Sequence, residues 1–367
     1  MRRRTFLQTG LGACLATRLW AAVQHDKLET AAQVLANAAD DGQVAAAALY
    51  VQQGEQAFVR SFGASTSPDD IFLLASISKP ISAAAVMTLY DRGTLRLDDL
   101  AQKFIPELKE GSKSRITLRH LLTHVSGLPD QLPQNQTLRQ RHAGLAEFVA
   151  AAIDTPLLFE PGSQYSYSSM GILLAAEVAQ RITGQDFRSF THERVFRPLA
   201  MQRSAMGLAP FKLEGTMRCQ VDRAAPESGA GDPAARDWDW NSLYWRQLGA
   251  PWGGAHASAR DVARFLAEFL QPTGQLLKVE TTRLMLRNHN PAGLRPRGLG
   301  FALGPQATSP ACSQETFGHG GATGTLAWAD PATQTVCVVL TTLPSQAANP
   351  HPRQLSSDRV AEAVAQG

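Results

Sequence analysis

Cysteine is scarce in this chain, at four positions among 367 residues. A leader ending near Ala22 would take Cys14 with it. The three left, Cys219, Cys312 and Cys337, are an odd number, which argues against a disulfide framework. Cys337 stands in an apolar strand-like run and reads as a buried small side chain; a Cys312–Cys337 bridge is the one pairing left open. No later segment approaches the roughly 20 apolar residues that a membrane span needs, so none is expected. Acidic residues are absent before Ala22, where Arg2, Arg3, Arg4 and Arg18 all fall. Those four arginines account for more than the whole net charge of +3 and leave −1 for the rest of the chain. That balance gives no grounds for a nucleic-acid partner or an anionic membrane surface. Internal repeats and long low-complexity tracts are missing as well.

What is present is a large apolar fraction, 44%, with 18% charged residues, enough for one large domain or two intimate ones. The N-terminus reads Arg3-Arg4-Thr5-Phe6-Leu7, then a short Gly/Ala/Leu stretch, then Trp20-Ala21-Ala22. It is similar to a twin-arginine export signal occupying residues 1–22, which implies a periplasmic location. Leu11-Gly12-Ala13-Cys14 is the alternative, a lipid-attachment site.

Residues 26–41 carry Leu28, Ala32, Val34, Leu35 and Ala38 at helical spacing. Ala45–Val51 and Gln56–Phe62 are β-rich around Gln52-Gln53-Gly54-Glu55, a hairpin signal. Helical patterns dominate from residue 76 to about 205. The last third returns to strands at Leu299–Leu303, Thr316–Gly320, Gly324–Asp330 and Thr335–Thr342, with a final helix capped by Ser356 or Ser357. The expected class is α/β of the α+β kind. Residues 23–75 and 252–367 form a sheet-containing domain covered by the terminal helices, and a mostly helical domain, 76–251, is inserted between.

Three stretches carry candidate chemistry. Ser76-Ile77-Ser78-Lys79 places a hydroxyl and an amine three residues apart, on one helix face, so Lys79 can reach and activate Ser76. Ser76 also falls where backbone N–H groups lack helical partners. Tyr165-Ser166-Tyr167-Ser168-Ser169 offers a tyrosine that an ammonium could convert to a base. Gly318-His319-Gly320-Gly321-Ala322-Thr323-Gly324 is too glycine-rich for an ordinary strand unless another backbone approaches closely, as an oxyanion hole requires. His319 there would add a polar or cationic group beside the substrate. His120 and His124 stand four apart on one helix, a zinc-like spacing, but without a glutamate or third ligand they read as packed or capping histidines. Trp238, Trp240, Tyr244, Trp245 and Trp252 crowd one short stretch and form either core or the wall of an apolar pocket.

In order and spacing these three motifs resemble the serine β-lactamase and penicillin-binding superfamily, in the branch holding class C β-lactamases, S12 D-alanyl-D-alanine carboxypeptidases and family VIII esterases. Leu121-Leu122-Thr123-His124-Val125-Ser126-Gly127-Leu128-Pro129, Phe196-Arg197-Pro198-Leu199-Ala200-Met201, Gly253-Gly254-Ala255-His256-Ala257-Ser258-Ala259-Arg260-Asp261 and Gly298-Leu299-Gly300-Phe301 fit as well. The resemblance implies a β-lactamase/transpeptidase-like fold. It makes Ser76 an acylated nucleophile, Lys79 its activator and Tyr167 the partner base and later acid. The N–H groups of Ser76 and Ala322 become the oxyanion hole, and Ser169, His319, Gly320 and Gly321 contact substrate. It implies no cofactor or metal and a small-molecule or peptidoglycan-like substrate; the oligomeric state stays open. One position departs from the pattern: Ser169 stands where the branch has asparagine. A rotating hydroxyl cannot reproduce the planar amide that contacts a substrate amide and the lysine. An ester asks less of that contact, so the expected order is esterase-like or unassigned hydrolase, then D-Ala-D-Ala carboxypeptidase, then β-lactamase. A non-catalytic binding or scaffold protein is the competing reading.

Overall fold

A computed structural model describes residues 25–365; the expected export leader and Cys14 lie outside them. Strict alternation of side chains builds its main sheet. Antiparallel strands β1 (Ala46–Gln53), β2 (Gln56–Gly63), β6 (Ala302–Leu303), β7 (Phe317–Gly321), β8 (Thr325–Asp330) and β9 (Thr335–Thr341) assemble in the order β2-β1-β9-β8-β7-β6. Ala47, Leu49 and Val51 of β1 share one face with Leu326, Trp328, Cys337 and Val339. That face is covered by two helices from opposite chain ends, α1 (25–40) and α11 (Pro352–Ala365). The intervening residues Ala46, Ala48, Tyr50, Ala327, Val336, Val338 and Leu340 face the larger core, shared with α9 (Ala259–Leu270) and the helical middle of the chain. A one-residue slip would exchange these faces, so burial on both sides pins the register.

Helix α11 begins earlier than expected. Proline is tolerated in the first helical turn, and the helix starts at Pro352. Ser356 and Ser357 are interior positions that tie the layers together rather than caps. Ser356 Oγ donates to the Ala31 carbonyl at 2.9 Å, and Trp328 Nε1 donates to Ser357 Oγ at 2.8 Å. Strand β6 is shorter than expected because its approach, Gly298–Phe301, is a tight turn against a helix. A Cβ on Gly300 would meet Ala83 Cβ at 2.6 Å. The three described cysteines are free, buried thiols, and no bridge joins Cys312 to Cys337.

The helical middle centres on α2 (Ser78–Asp91), which is buried on all sides from Ser78 to Leu89. A helix apolar all round is a core helix. Each of Ile81, Val86 and Leu89 gains about 1.5–3 kcal/mol from burial. Around it lie α3 (Leu118–Thr123), α4 (Asn135–Gln140), α5 (Leu145–Asp154), α6 (Ser169–Thr183) and α7 (Phe187–Thr191), with α6 packed along α2. Helix α8 (Leu243–Leu248) and α10 (Val279–Met285) complete the set. Among the described residues no helix is long and apolar enough to cross a membrane.

A second, three-stranded sheet joins the two regions: β3 (Phe72–Leu73), β5 (Ala255–Ala257) and β4 (Ser204–Met206), with β5 central. His256 in β5 is fully buried, and no hydrogen bond closes on either ring nitrogen. Burial, then Arg246, hold its pKa down to about 3, against smaller opposing pulls from the Gly207 and Gly254 backbone. The folded ring therefore refuses a proton that the unfolded ring accepts near pH 6.5. Stability is unaffected by this group above pH 6.5 and falls between pH 6.5 and about 3, by about 1.4 kcal/mol per pH unit. Denaturant unfolding at pH 7 and pH 5 should show the loss, and His256→Leu should shrink it. Equal losses in wild type and variant would remove His256 as its source.

Candidate active site

Ser76 lies in a short 3₁₀ turn, Ala75–Ile77, that feeds directly into α2, two residues ahead of the α-helix proper. Ala75 adopts φ +47°, a left-handed conformation that costs a Cβ-bearing residue about 1–2 kcal/mol. Contacts on either side hold this turn. The Leu74 N–H donates to the Ala255 carbonyl at 2.9 Å. The hydroxyls of Thr323 and Thr325 donate to the Leu73 and Leu74 carbonyls at 2.7 and 2.8 Å. From β7, Gly321 comes so near that a Cβ there would lie 2.3 Å from the Leu74 carbonyl oxygen. The glycine at 321 is thus demanded by a backbone approach beside the Ser76 turn, whereas a Cβ on Gly320 would make only ordinary contacts.

One turn along, Lys79 Nζ donates to Ser76 Oγ at 2.9 Å and to the Trp252 carbonyl at 3.0 Å. Lys79 is only 1% exposed. Its nitrogen sits 4.7 Å from the centroid of the Tyr167 ring, so the three residues expected to carry the chemistry are brought together. Tyr167 is positioned from two directions. The residue after it, Ser168, caps α6 by accepting from the Gly171 N–H at 2.9 Å, and the His124 ring packs 4.6 Å from the Tyr167 ring.

Ser76, Tyr167, Ser169 and Ala322 line one cavity of about 160 Å³; larger surface clefts lie elsewhere on the molecule. Trp240, Trp245 and Trp252 are buried and also wall this cavity, so the aromatic cluster is core and pocket at once. Lys79 lies beneath Ser76, and His319, Gly320 and Gly321 are not among the lining residues. Ala322 immediately follows β7 and faces the cavity beside Ser76. This is the neighbourhood that an oxyanion hole made from their two N–H groups requires.

His319 is buried and neutral rather than cationic. Arg297 Nη2 lies 3.2 Å from His319 Nε2 and 3.1 Å from His124 Nε2. A guanidinium only donates, so His319 Nε2 accepts and its Nδ1 carries the proton, which it donates to the Gly320 carbonyl at 2.7 Å. His124 Nδ1 lies 3.1 Å from both the N–H and the carbonyl of Ser168. Burial, then Arg297 and Lys79, hold both imidazoles well below the usual histidine range. The fixed cation behind the third motif is therefore Arg297, 5.9 Å from the Tyr167 ring centroid. His120 instead belongs to the capping box of α3 with Thr117. Among the described residues no group of His, Cys, Asp and Glu could hold a metal ion.

Ser169 has a partner that sequence reasoning missed. Its hydroxyl donates to Asp130 Oδ1 at 2.5 Å, and its N–H donates to the same oxygen at 3.0 Å. Ser169 is thereby turned toward Asp130, while Lys79 Nζ meets the Trp252 carbonyl. Arg297 and Asp130 each sit beside a matched stretch, before Gly298-Leu299-Gly300-Phe301 and after Leu128-Pro129; adjacency to those stretches was the available signal.

Comparison with known proteins supplies the family. The Beta-lactamase family model matches residues 31–358. Esterase EstB of Burkholderia gladioli is 31% identical over 297 residues, 71% of this chain and 74% of that protein. Among solved structures, EstCE1, a hydrolase with promiscuous acyltransferase activity, aligns at a TM-score of 0.75 and 20% identity, covering 94% of this chain and 98% of its own. The D-amino acid amidase of Ochrobactrum anthropi SV3 aligns at 0.73 and 23% identity, covering 92% of this chain and 100% of its own. At such identities the structural likenesses establish the fold, and the family match with the EstB relationship establishes the rest: the chain belongs to the Beta-lactamase family of serine hydrolases.

Proposed function

We propose that this protein is an exported serine hydrolase that cleaves an ester through an acyl-Ser76 intermediate. Ser76 Oγ attacks the ester carbonyl carbon, and its proton passes to the Lys79–Tyr167 pair. The carbonyl oxygen takes the developing charge against the N–H groups of Ser76 and Ala322, each worth about 2.7–4 kcal/mol to the transition state. The bond to the leaving alkoxide breaks, and Tyr167 returns the proton to it. Water then attacks the acyl carbon and gives a proton to the pair. The Ser76 Oγ–carbon bond breaks, Ser76 recovers its proton and the carboxylic acid leaves.

The observation that favours an ester over an amide or β-lactam is the Ser169–Asp130 pair. Ser169 commits its one hydroxyl proton to a carboxylate. It thus offers the substrate no equivalent of an amide side chain that donates and accepts together. EstB, the relative named an esterase, is consistent with this reading.

A panel of p-nitrophenyl acetate and butyrate, a chromogenic cephalosporin and a D-Ala-D-Ala peptide tests it. The esters should be turned over with the highest kcat/KM. A higher value for the cephalosporin or the peptide would overturn the ester assignment while leaving the acyl-serine mechanism intact.

A further inference from the structure

Arg139 lines the same cavity as Ser76, yet nothing in the acyl-transfer chemistry uses it. It lies on α4 and is 2% exposed. Its guanidinium stacks on the Trp245 ring with 3.6 Å between its central carbon and the ring centroid, and Trp238 flanks it at 6.0 Å. Nη1 donates to the Glu227 carbonyl, while Nε is buried without any partner. Among the described residues no carboxylate lies within ion-pair distance of it, although Glu227 and Asp239 are close enough to act on its charge. Burial lowers its pKa to about 10, so it remains cationic at neutral pH. A buried cation with an unmade hydrogen bond is costly unless something completes it, and a planar fork fits a carboxylate.

Resting on the ester reading above, we infer that Arg139 is a specificity residue that receives a carboxylate carried by the substrate's acyl chain, at the tryptophan-walled end of the cavity. The volume, about 160 Å³, suits a short chain. Trp240, Trp245 and Trp252 would cover its methylene groups, and the guanidinium would meet its far end. Two carboxylates, Asp130 and Glu227, share the cavity. Asp130 is engaged by Ser169, and half-buried Glu227 reaches water. A direct contact with Arg139 therefore outweighs their longer-range repulsion.

The test compares p-nitrophenyl hydrogen glutarate with its neutral analogue, p-nitrophenyl methyl glutarate. Wild type should favour the free carboxylate by about tenfold or more in kcat/KM, the scale of one hydrogen bond to a charged group. Arg139→Met should bring that ratio to near one. A merely structural role, holding Glu227 and its loop in place, would lower both rates and leave the ratio unchanged. Equal rates for the two esters in wild type would overturn the inference while leaving esterase activity standing; turnover of neither ester would instead sink the ester reading. A second measurement needs neither a variant nor turnover: calorimetric binding of 3-carboxyphenylboronic acid and phenylboronic acid to wild type. Tighter binding of the carboxylated boronate by about tenfold supports Arg139 as the receiving group, and equal or weaker binding overturns it.

Discussion

Ser76→Ala protein should turn over p-nitrophenyl butyrate at least about 10⁴-fold more slowly than wild type, because removing a nucleophile removes the covalent route and leaves only the oxyanion hole and binding. Ser76 Oγ is the atom that Lys79 Nζ meets at 2.9 Å, and Ala75 and the Thr323 and Thr325 hydroxyls hold it in a strained turn. Alanine at 76 keeps all of those backbone contacts, so the fold should survive. Intact mass after exposure to a fluorophosphonate should show one adduct on wild type and none on the variant. Full ester turnover by Ser76→Ala protein would show that the hydrolysis does not pass through this serine.

Lys79→Met should produce the second largest loss, about 10²–10⁴-fold in kcat, the range of a positioned acid–base group. Its expected effect on stability has the opposite sign. Lys79 is 1% exposed, and its two hydrogen-bond acceptors are the neutral oxygens of Ser76 and Trp252. Methionine fills a similar volume without bringing a polar head into the core, and replacing a buried polar group by an apolar one of the same shape can be nearly neutral or stabilising. Thermal unfolding of Lys79→Met should therefore occur at or above the wild-type midpoint while activity collapses. An active variant would release Lys79 from its role. A strongly destabilised one would show that Lys79 holds the turn together instead of serving the chemistry.

The parts of this molecule that repeat were legible in its sequence. Near-continuous apolar runs in Thr325–Asp330 and Thr335–Thr341 mark two strands buried on both faces, and Ser258 with Asp261 three residues on marks the start of α9, where the Ser258 hydroxyl accepts the Asp261 N–H. The S-x-x-K tetrad and Tyr167 were legible because their spacing is local or matches a known order. What could not be read were single polar residues whose meaning comes from a partner far along the chain. Asp130 meets Ser169 across 39 positions, and Arg297 meets His124 across 173. Neither has a period, a cap or a turn signature, so only their adjacency to matched stretches sets them apart from surface charges. The misplaced start of α11 has a related cause. Ser356 and Ser357 have the chemistry of caps, but tertiary partners on α1 and β8 claim their hydroxyls.

The tethers on the Ser76 turn also bear on how this hydrolase comes into being. Thr323 and Thr325 reach carbonyls 250 and 251 residues earlier in the chain, and β1 finds its inner neighbour only when β9 exists. A nascent chain that has already emerged past Tyr167 owns its serine, lysine and tyrosine, yet has no strand against which to hold the serine turn. Its first hairpin meanwhile presents an unpaired edge. Pairings of such long reach form slowly and leave apolar edges uncovered while they wait. Hydrolase activity should therefore appear only after the C-terminal strands have emerged, and its onset would time the closing of the sheet between the two ends of the chain.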